Sequence, residues 1–275
     1  MVEATVLALI AAVLHAGWNL AVKVRADRLA FLCAQFLIGG LLGFALLLVL
    51  GNVDDVAWRW SALSATIHIP YFLLLALSYR YGDFSLVYPL ARGGGALLAA
   101  VGGALLLSDE LTPPAWVAIA IVSVGLASLA APAARGPAVA TALALAAVIG
   151  AYTVVDSHGA RVSTAATYGL ATFAADAVGA ALVLTATRRW RVAVRVVRGS
   201  PAVCAGAALA ALAAYALVMA AVRHAPVGYV TALRESSVVI GAFAGWKVLH
   251  EPPGATRLAS SIVVLSGLVL LIAAG

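Results

Sequence analysis

The sequence predicts an all-α polytopic membrane protein, and three observations carry that prediction. Of its 275 residues 64% are apolar and only 10% are charged, whereas soluble domains average about 25% charged and 45–50% apolar residues. The mean hydropathy is +1.08. Apolar runs recur along the whole chain, bounded by charge, Pro, Gly or Asn, and each is near the roughly 20 residues a helix needs to cross a bilayer. This composition excludes a soluble enzyme, a disordered chain and a disulfide-stapled secreted domain. Cys33 and Cys204 lie inside apolar runs and read as small core residues. The net charge of +6 belongs to short loops between the runs, so it points to membrane orientation rather than to a nucleic-acid partner.

Ten spans are expected, at 4–22, 30–50, 61–79, 84–107, 113–132, 137–155, 165–187, 201–222, 227–249 and 255–274. They read as helices because lipid offers no partner to an unpaired backbone group, and because barrel strands are only about 10 residues long. The first follows Glu3 instead of a basic leader and lacks a small-residue cleavage site, so it is expected to be a retained helix and not a signal peptide. The second carries Gly39 and Gly43, and the ninth Gly241 and Gly245, both pairs spaced for close helix contact. The third holds His68, the fourth Pro89 and Arg92, the sixth Tyr152 and Asp156, the seventh Asp176, and the ninth Arg234 and Glu235. Between the seventh and eighth, Arg188, Arg191, Arg195 and Arg198 fall at helical spacing with Trp190, Val194 and Val197 turned away from them. That pattern predicts a short interfacial helix on an anionic leaflet.

The chain repeats. A slide of about 141–144 residues brings the third to fifth spans onto the eighth to tenth. Tyr71 then meets Tyr215, Arg80 meets Arg223, Arg92 meets Arg234 after a slip of one, and Asp109-Glu110 meets His250-Glu251 after another. Five helices is an odd number, so the second copy must enter the membrane from the opposite face, the inverted arrangement of many secondary transporters. The expected halves are 1–135 and 136–275. Twelve of the 17 Lys and Arg fall in odd-numbered loops and three (Arg59, Arg161 and Arg223) in even-numbered ones. The positive-inside rule therefore puts the odd loops in the cytoplasm and both termini outside.

Charge at membrane depth costs about 2.5–3.5 kcal/mol on insertion scales, so each buried ionisable group needs a partner or a purpose. Arg92 and Arg234 each sit about eight residues into a span. Arginine's planar fork suits a carboxylate or phosphonate, and the alternative is a structural pair with Glu235 or Asp156. Pro89 frees the carbonyl of Ser85, which predicts a kink just before Arg92 with Gly93 and Gly94 as part of a hinge. His15, Asn19 and Lys23 share one face of the first span with Trp18 beside it. The candidate binding residues are thus Trp18, Asn19, Tyr88, Arg92, Tyr152 and Arg234, and the candidate coupling residues are His15, Asp156 and Glu235. No metal-ligand spacing, H-E-x-x-H, G-x-S-x-G or P-loop occurs, so neither an enzyme nor a cofactor or metal is expected.

The segments L-H-A-G-W-N-L-A-V-K around Trp18, Y-G-D-F-S-L-V-Y-P-L-A-R-G around Pro89, S-D-E-L-T-P around Glu110 and Y-T-V-V-D-S-H-G-A-R around Asp156 carry a resemblance. With ten spans in two halves, the chain resembles the EamA-type members of the drug/metabolite transporter superfamily. These segments are similar to the subgroup described as phosphonate-utilisation-associated membrane proteins. The resemblance implies a basket-like bundle around a central cavity and movement of small metabolites, often amino acids, usually outwards. Relatives are usually drawn with both termini cytoplasmic, against the charge count here. The expected protein is a multi-pass plasma-membrane secondary transporter of a small polar metabolite, monomeric or homodimeric, with the lipid bilayer as its other partner. An intramembrane lipid-processing enzyme and a membrane scaffold or receptor subunit are the competing readings.

Overall fold

The structure is a computed structural model that describes residues 1–50, 54–81, 84–130, 136–249 and 255–274. Every regular element among them is a helix: α1 (Val2–Lys23), α2 (Arg28–Leu50), α3 (Asp55–Tyr81), α4 (Phe84–Leu106), α5 (Pro113–Ala130), α6 (Gly136–Val162), α7 (Ala165–Ala186), α8 (Trp190–Gly199), α9 (Pro201–Ala221), α10 (Val227–Arg234), α11 (Ser236–Leu249) and α12 (Ala255–Ala274). Among the described residues, six helical stretches are long and apolar enough to cross a membrane, within α1, α2, α4, α6, α7 and α9. The bundle is inverted relative to a soluble domain. Leu41, Leu48, Val49, Leu105, Leu106, Val178 and Val269 are exposed, while His15, Gln35, His68, Arg92, Asp156, Asp176 and Glu235 are buried. Water tolerates no apolar exterior of that extent, and the surface is compatible with a multi-pass membrane protein.

The packing pairs are regular. α1 lies on α9 and α6 on α3; α4 lies on α6, and α10 and α11 on α1; α3 lies on α7 and α9 on α2; α4 lies on α5 and α11 on α12. α2 faces α7, and α5 faces α12. Small residues permit the closest approaches. Gly39 and Gly43 of α2 sit against Phe173 and the Leu170 carbonyl of α7, as their spacing suggests. A Cβ on Gly40 would stand 2.4 Å from the Ala177 Cβ and 2.5 Å from the Phe173 carbonyl oxygen. Backbone cannot yield as a side chain can, so Gly40→Ala is expected to lower the melting temperature by an overpacking cost of about 1–3 kcal/mol. Gly17→Ala, where a Cβ meets nothing within 4 Å, is the control that should stay near wild type. Among the described residues a Cβ on Gly241 likewise meets nothing within 4 Å; Gly245 lies within α11, and His250 and Glu251 lie outside the described residues.

α4 continues through Pro89 without a break. Pro89 is the sixth residue of that helix, so its missing N–H removes a single early hydrogen bond. An interruption lies in the ninth predicted span, where α10 ends at Arg234, α11 begins at Ser236 and Glu235 lies between them. There the helix tightens: the Glu235 N–H donates to the Ala232 carbonyl at 3.0 Å and the Val238 N–H to the Glu235 carbonyl at 2.9 Å, the three-residue step of a 3₁₀ turn. The amphipathic helix forms as α8, but its inner face differs. Val192, Ala193, Val196 and Val197 pack inward, and Trp190 and Val194 are exposed beside the arginines.

Polar contacts tie the two ends of the bundle differently. At one end Arg161 donates to Asp109 at 2.7 Å and to the carbonyls of Val222 at 2.8 Å and Ala225 at 3.2 Å. Arg223 there donates to the Ala160 carbonyl at 2.5 Å and to that of Ser163. The same end holds Glu3, 3.7 Å from His224, and the Ala274 carbonyl, which accepts from Thr112 at 3.3 Å. At the other end Arg189 pairs with Asp27, and Arg25 donates to Ser200 at 3.3 Å while lying over the Phe31 ring.

Candidate functional site

A cavity of about 70 Å³ lies between the helices. A water needs about 10–15 Å³ on this measure, so the cavity holds a few waters and must widen to admit an organic metabolite. α1 supplies His15, Trp18 and Asn19; α3 His68 and Tyr71; α4 Tyr88 and Arg92; α6 Tyr152 and Asp156; α7 Phe173 and Asp176; α9 Tyr215; and α10 Arg234. All six candidate binding residues line this one space, as do His15 and Asp156. Glu235 lines a smaller pocket shared with Arg92 and Arg234. A third pocket, between Trp18, Val22, Leu32, Leu75 and Leu145, continues toward the end where Arg189 meets Asp27. The opposite end is the one crossed by Arg161 and Arg223.

Helix geometry decides which arginine is neutralised. Arg92 grips Glu235 in a two-point contact, Nη2 to Oε1 at 2.5 Å and Nε to Oε2 at 3.1 Å, with both residues buried. Neighbouring residues on a helix do not face each other, so Glu235 reaches across to α4 and not to the adjacent Arg234. Arg234 has no acidic partner within ion-pair distance among the described residues, and it faces the cavity half-buried. One guanidinium charge in the cavity wall is therefore uncompensated by a carboxylate. The mid-helix glycines play another part. A Cβ on Gly93 would meet Leu126 and the Ser123 carbonyl at 3.0 Å, one on Gly94 the Ala146 Cβ at 2.9 Å, and one on Gly95 the Ile149 side chain at 2.5 Å. They seat α4 against α5 and α6 rather than opening its backbone to the cavity.

Aromatic rings shape the walls. His15 meets Trp18 edge-on at 4.7 Å between centroids, and Asn19 donates back to the His15 carbonyl at 2.8 Å. On the facing wall His68 stacks on Tyr152 at 4.2 Å, with Tyr71 edge-on to both. Phe36 and Phe173 stack at 5.3 Å. Neither Phe36 nor Phe173 stood out in the sequence, because a phenylalanine in an apolar run carries no signal. Tyr71 and Tyr215 were visible only as matching landmarks of the repeat, and here both line the cavity.

No family model matches the chain, and no curated protein does. Among solved structures it is similar to one described only as "Crystal structure of protein", with a TM-score of 0.75 at 18% identity over 100% of this chain and 98% of that one. At that identity the likeness shows a shared fold alone.

Proposed function

We propose that the chain is a secondary transporter that moves a small metabolite bearing an anionic group across the plasma membrane by alternating access, in the outward direction. The observation that carries this reading is the uncompensated Arg234 in the wall of a buried, aromatic-lined cavity. An isolated charge at that depth is costly unless something of opposite sign visits it, and the guanidinium fork matches a carboxylate or phosphonate.

The architecture we infer is ten spans in two inverted five-helix halves, 1–135 and 136–275, of the EamA type. The helix packing supports it. Exchanging α1 with α6, α2 with α7, α3 with α9, α4 with α10–α11 and α5 with α12 turns each helix contact described above into another of the set, as a two-fold relation between halves requires. Arg92 and Arg234, the matched arginines, then meet at one cavity. The contrast between the ends supports alternating access: Arg161 and Arg223 bind loops together at one, while a side pocket extends toward the other.

The reading is tested by measuring thermal stabilisation of the purified chain with phosphonates, amino acids and organic acids, since a ligand that prefers the native state raises its melting temperature. An anionic or zwitterionic compound should stabilise it, and a screen in which only neutral compounds do so counts against the anion site. For orientation, cysteines introduced singly by Glu3→Cys and Arg191→Cys in a Cys-free background should react from opposite faces, the first from outside intact cells. Labelling of the Arg191→Cys variant from outside would reverse the assigned topology.

A further inference from the structure

The wall of the cavity away from the arginines carries a second set of ionisable groups. His68 of α3 lies 3.4 Å from Asp176 of α7 and faces Asp156 of α6; all three are buried, and both aspartates are 1% exposed. The Asp156 Oδ1 accepts from the Tyr168 hydroxyl at 2.9 Å, while its Oδ2 has no hydrogen-bond partner although it is fully enclosed. Tyr215 of α9 and Ser64 of α3 face the same carboxyl. The histidine tautomer follows from the backbone. His68 Nδ1 is 3.0 Å from the Ser64 carbonyl, which can only accept, and 3.2 Å from the Ser64 hydroxyl, which can accept or donate; hydrogen placed on Nδ1 suits both and leaves Nε2 as the nitrogen that can take up another. Tyr152 of α6 stacks on His68 and Tyr71 of α3 lies edge-on to it; among the described residues the remaining charged groups on the cavity are Arg92, already engaged by Glu235, and Arg234.

With all three groups unprotonated this wall would hold two negative charges against no cation of its own, which a low-dielectric interior penalises heavily. Two protons distributed over His68, Asp156 and Asp176 neutralise this wall, and one already balances the cavity as a whole, where Arg234 carries the remaining positive charge. Metal binding does not fit, because among the described residues no three His, Cys, Asp or Glu side chains are grouped to hold a metal ion. We propose that His68, Asp156 and Asp176 form a proton-binding site on the cavity wall, loaded while these groups are enclosed and discharged when water enters. That the site serves to couple transport to a proton gradient rests on the transporter reading; that it binds protons does not. The assignment replaces His15 and Glu235 as coupling groups, since Glu235 is held by Arg92 and His15 is enclosed against Trp18.

The test is infrared difference spectroscopy of the purified full-length chain in lipid nanodiscs, titrated from acid to alkaline pH. At neutral pH the wild type should show the carbonyl stretch of a protonated carboxyl, lost on alkalinisation. Asp156→Asn and Asp176→Asn should each diminish that band, His68→Gln should shift its titration, and Arg234→Gln should keep it. Absence of the band in the wild type overturns the proposal, and is the result expected if this wall receives an ammonium group instead, which needs ionised carboxylates. A band left unchanged by both Asn variants overturns it equally. None of these outcomes depends on finding a substrate, so a failed transport assay and a failed proton site are separable.

Discussion

Replacing Arg234 by lysine is expected to reduce affinity for the stabilising anion roughly 10- to 150-fold, the equivalent of the about 1.5–3 kcal/mol of one buried charge-assisted contact, while the unliganded melting temperature stays near wild type. The asymmetry follows from the environment. Arg234 has no acidic partner among the described residues, so removing it strands no carboxylate. Lysine keeps the charge but offers a point ammonium in place of a planar fork. Arg234→Gln removes the charge as well, and should abolish ligand stabilisation without lowering unliganded stability, because it also relieves repulsion from Arg92 in the same wall. The measurement is melting temperature with and without ligand, beside uptake or efflux in proteoliposomes. Unchanged affinity in both variants would remove the anion from this site.

How much of this was legible in the sequence depended on periodicity. The helical class, the apolar runs and the amphipathic α8 could be read because lipid exposure imposes a long apolar run and an interface imposes helical spacing on arginines. The recurrence of Arg92 at Arg234 and of Tyr71 at Tyr215 was legible for a similar reason: polar residues are rare enough in apolar runs to serve as landmarks. What was not legible depended on pairing across helices. Glu235 stands next to Arg234 in sequence yet binds Arg92, a choice made by helix geometry that no linear pattern encodes. Pro89 gave a strong local signal, yet α4 runs on through it as helix, whereas the interruption at Glu235 had no proline or glycine to announce it. His68 and Asp176 each stood alone in an apolar run, and only the packing of α3 on α7 made them neighbours.

The buried pair gives the opposite result to Arg234. Glu235→Gln is expected to destabilise the unliganded protein by about 3–5 kcal/mol, since it leaves the Arg92 charge buried without its carboxylate; for a chain of this size that is a fall on the order of 10 °C in melting temperature. Arg92→Gln in the same background should recover most of the loss, because two neutral side chains of similar volume leave no uncompensated charge, and the double-mutant cycle then isolates the coupling between them. The same substitution should act in the reverse sense on ligand. With Glu235 neutral, Arg92 becomes a second free guanidinium beside Arg234 in the pocket they share, so an anion should bind more tightly and restore more stability than it adds to wild type. At 100 times its dissociation constant a ligand contributes about 2.7 kcal/mol, enough to offset much of the deficit. A Glu235→Gln variant that melts like wild type would show that the contact between α4 and the turn at Glu235 contributes no net stability. One that is destabilised but gains nothing from anion would mean that Arg92 holds the fold without facing the ligand.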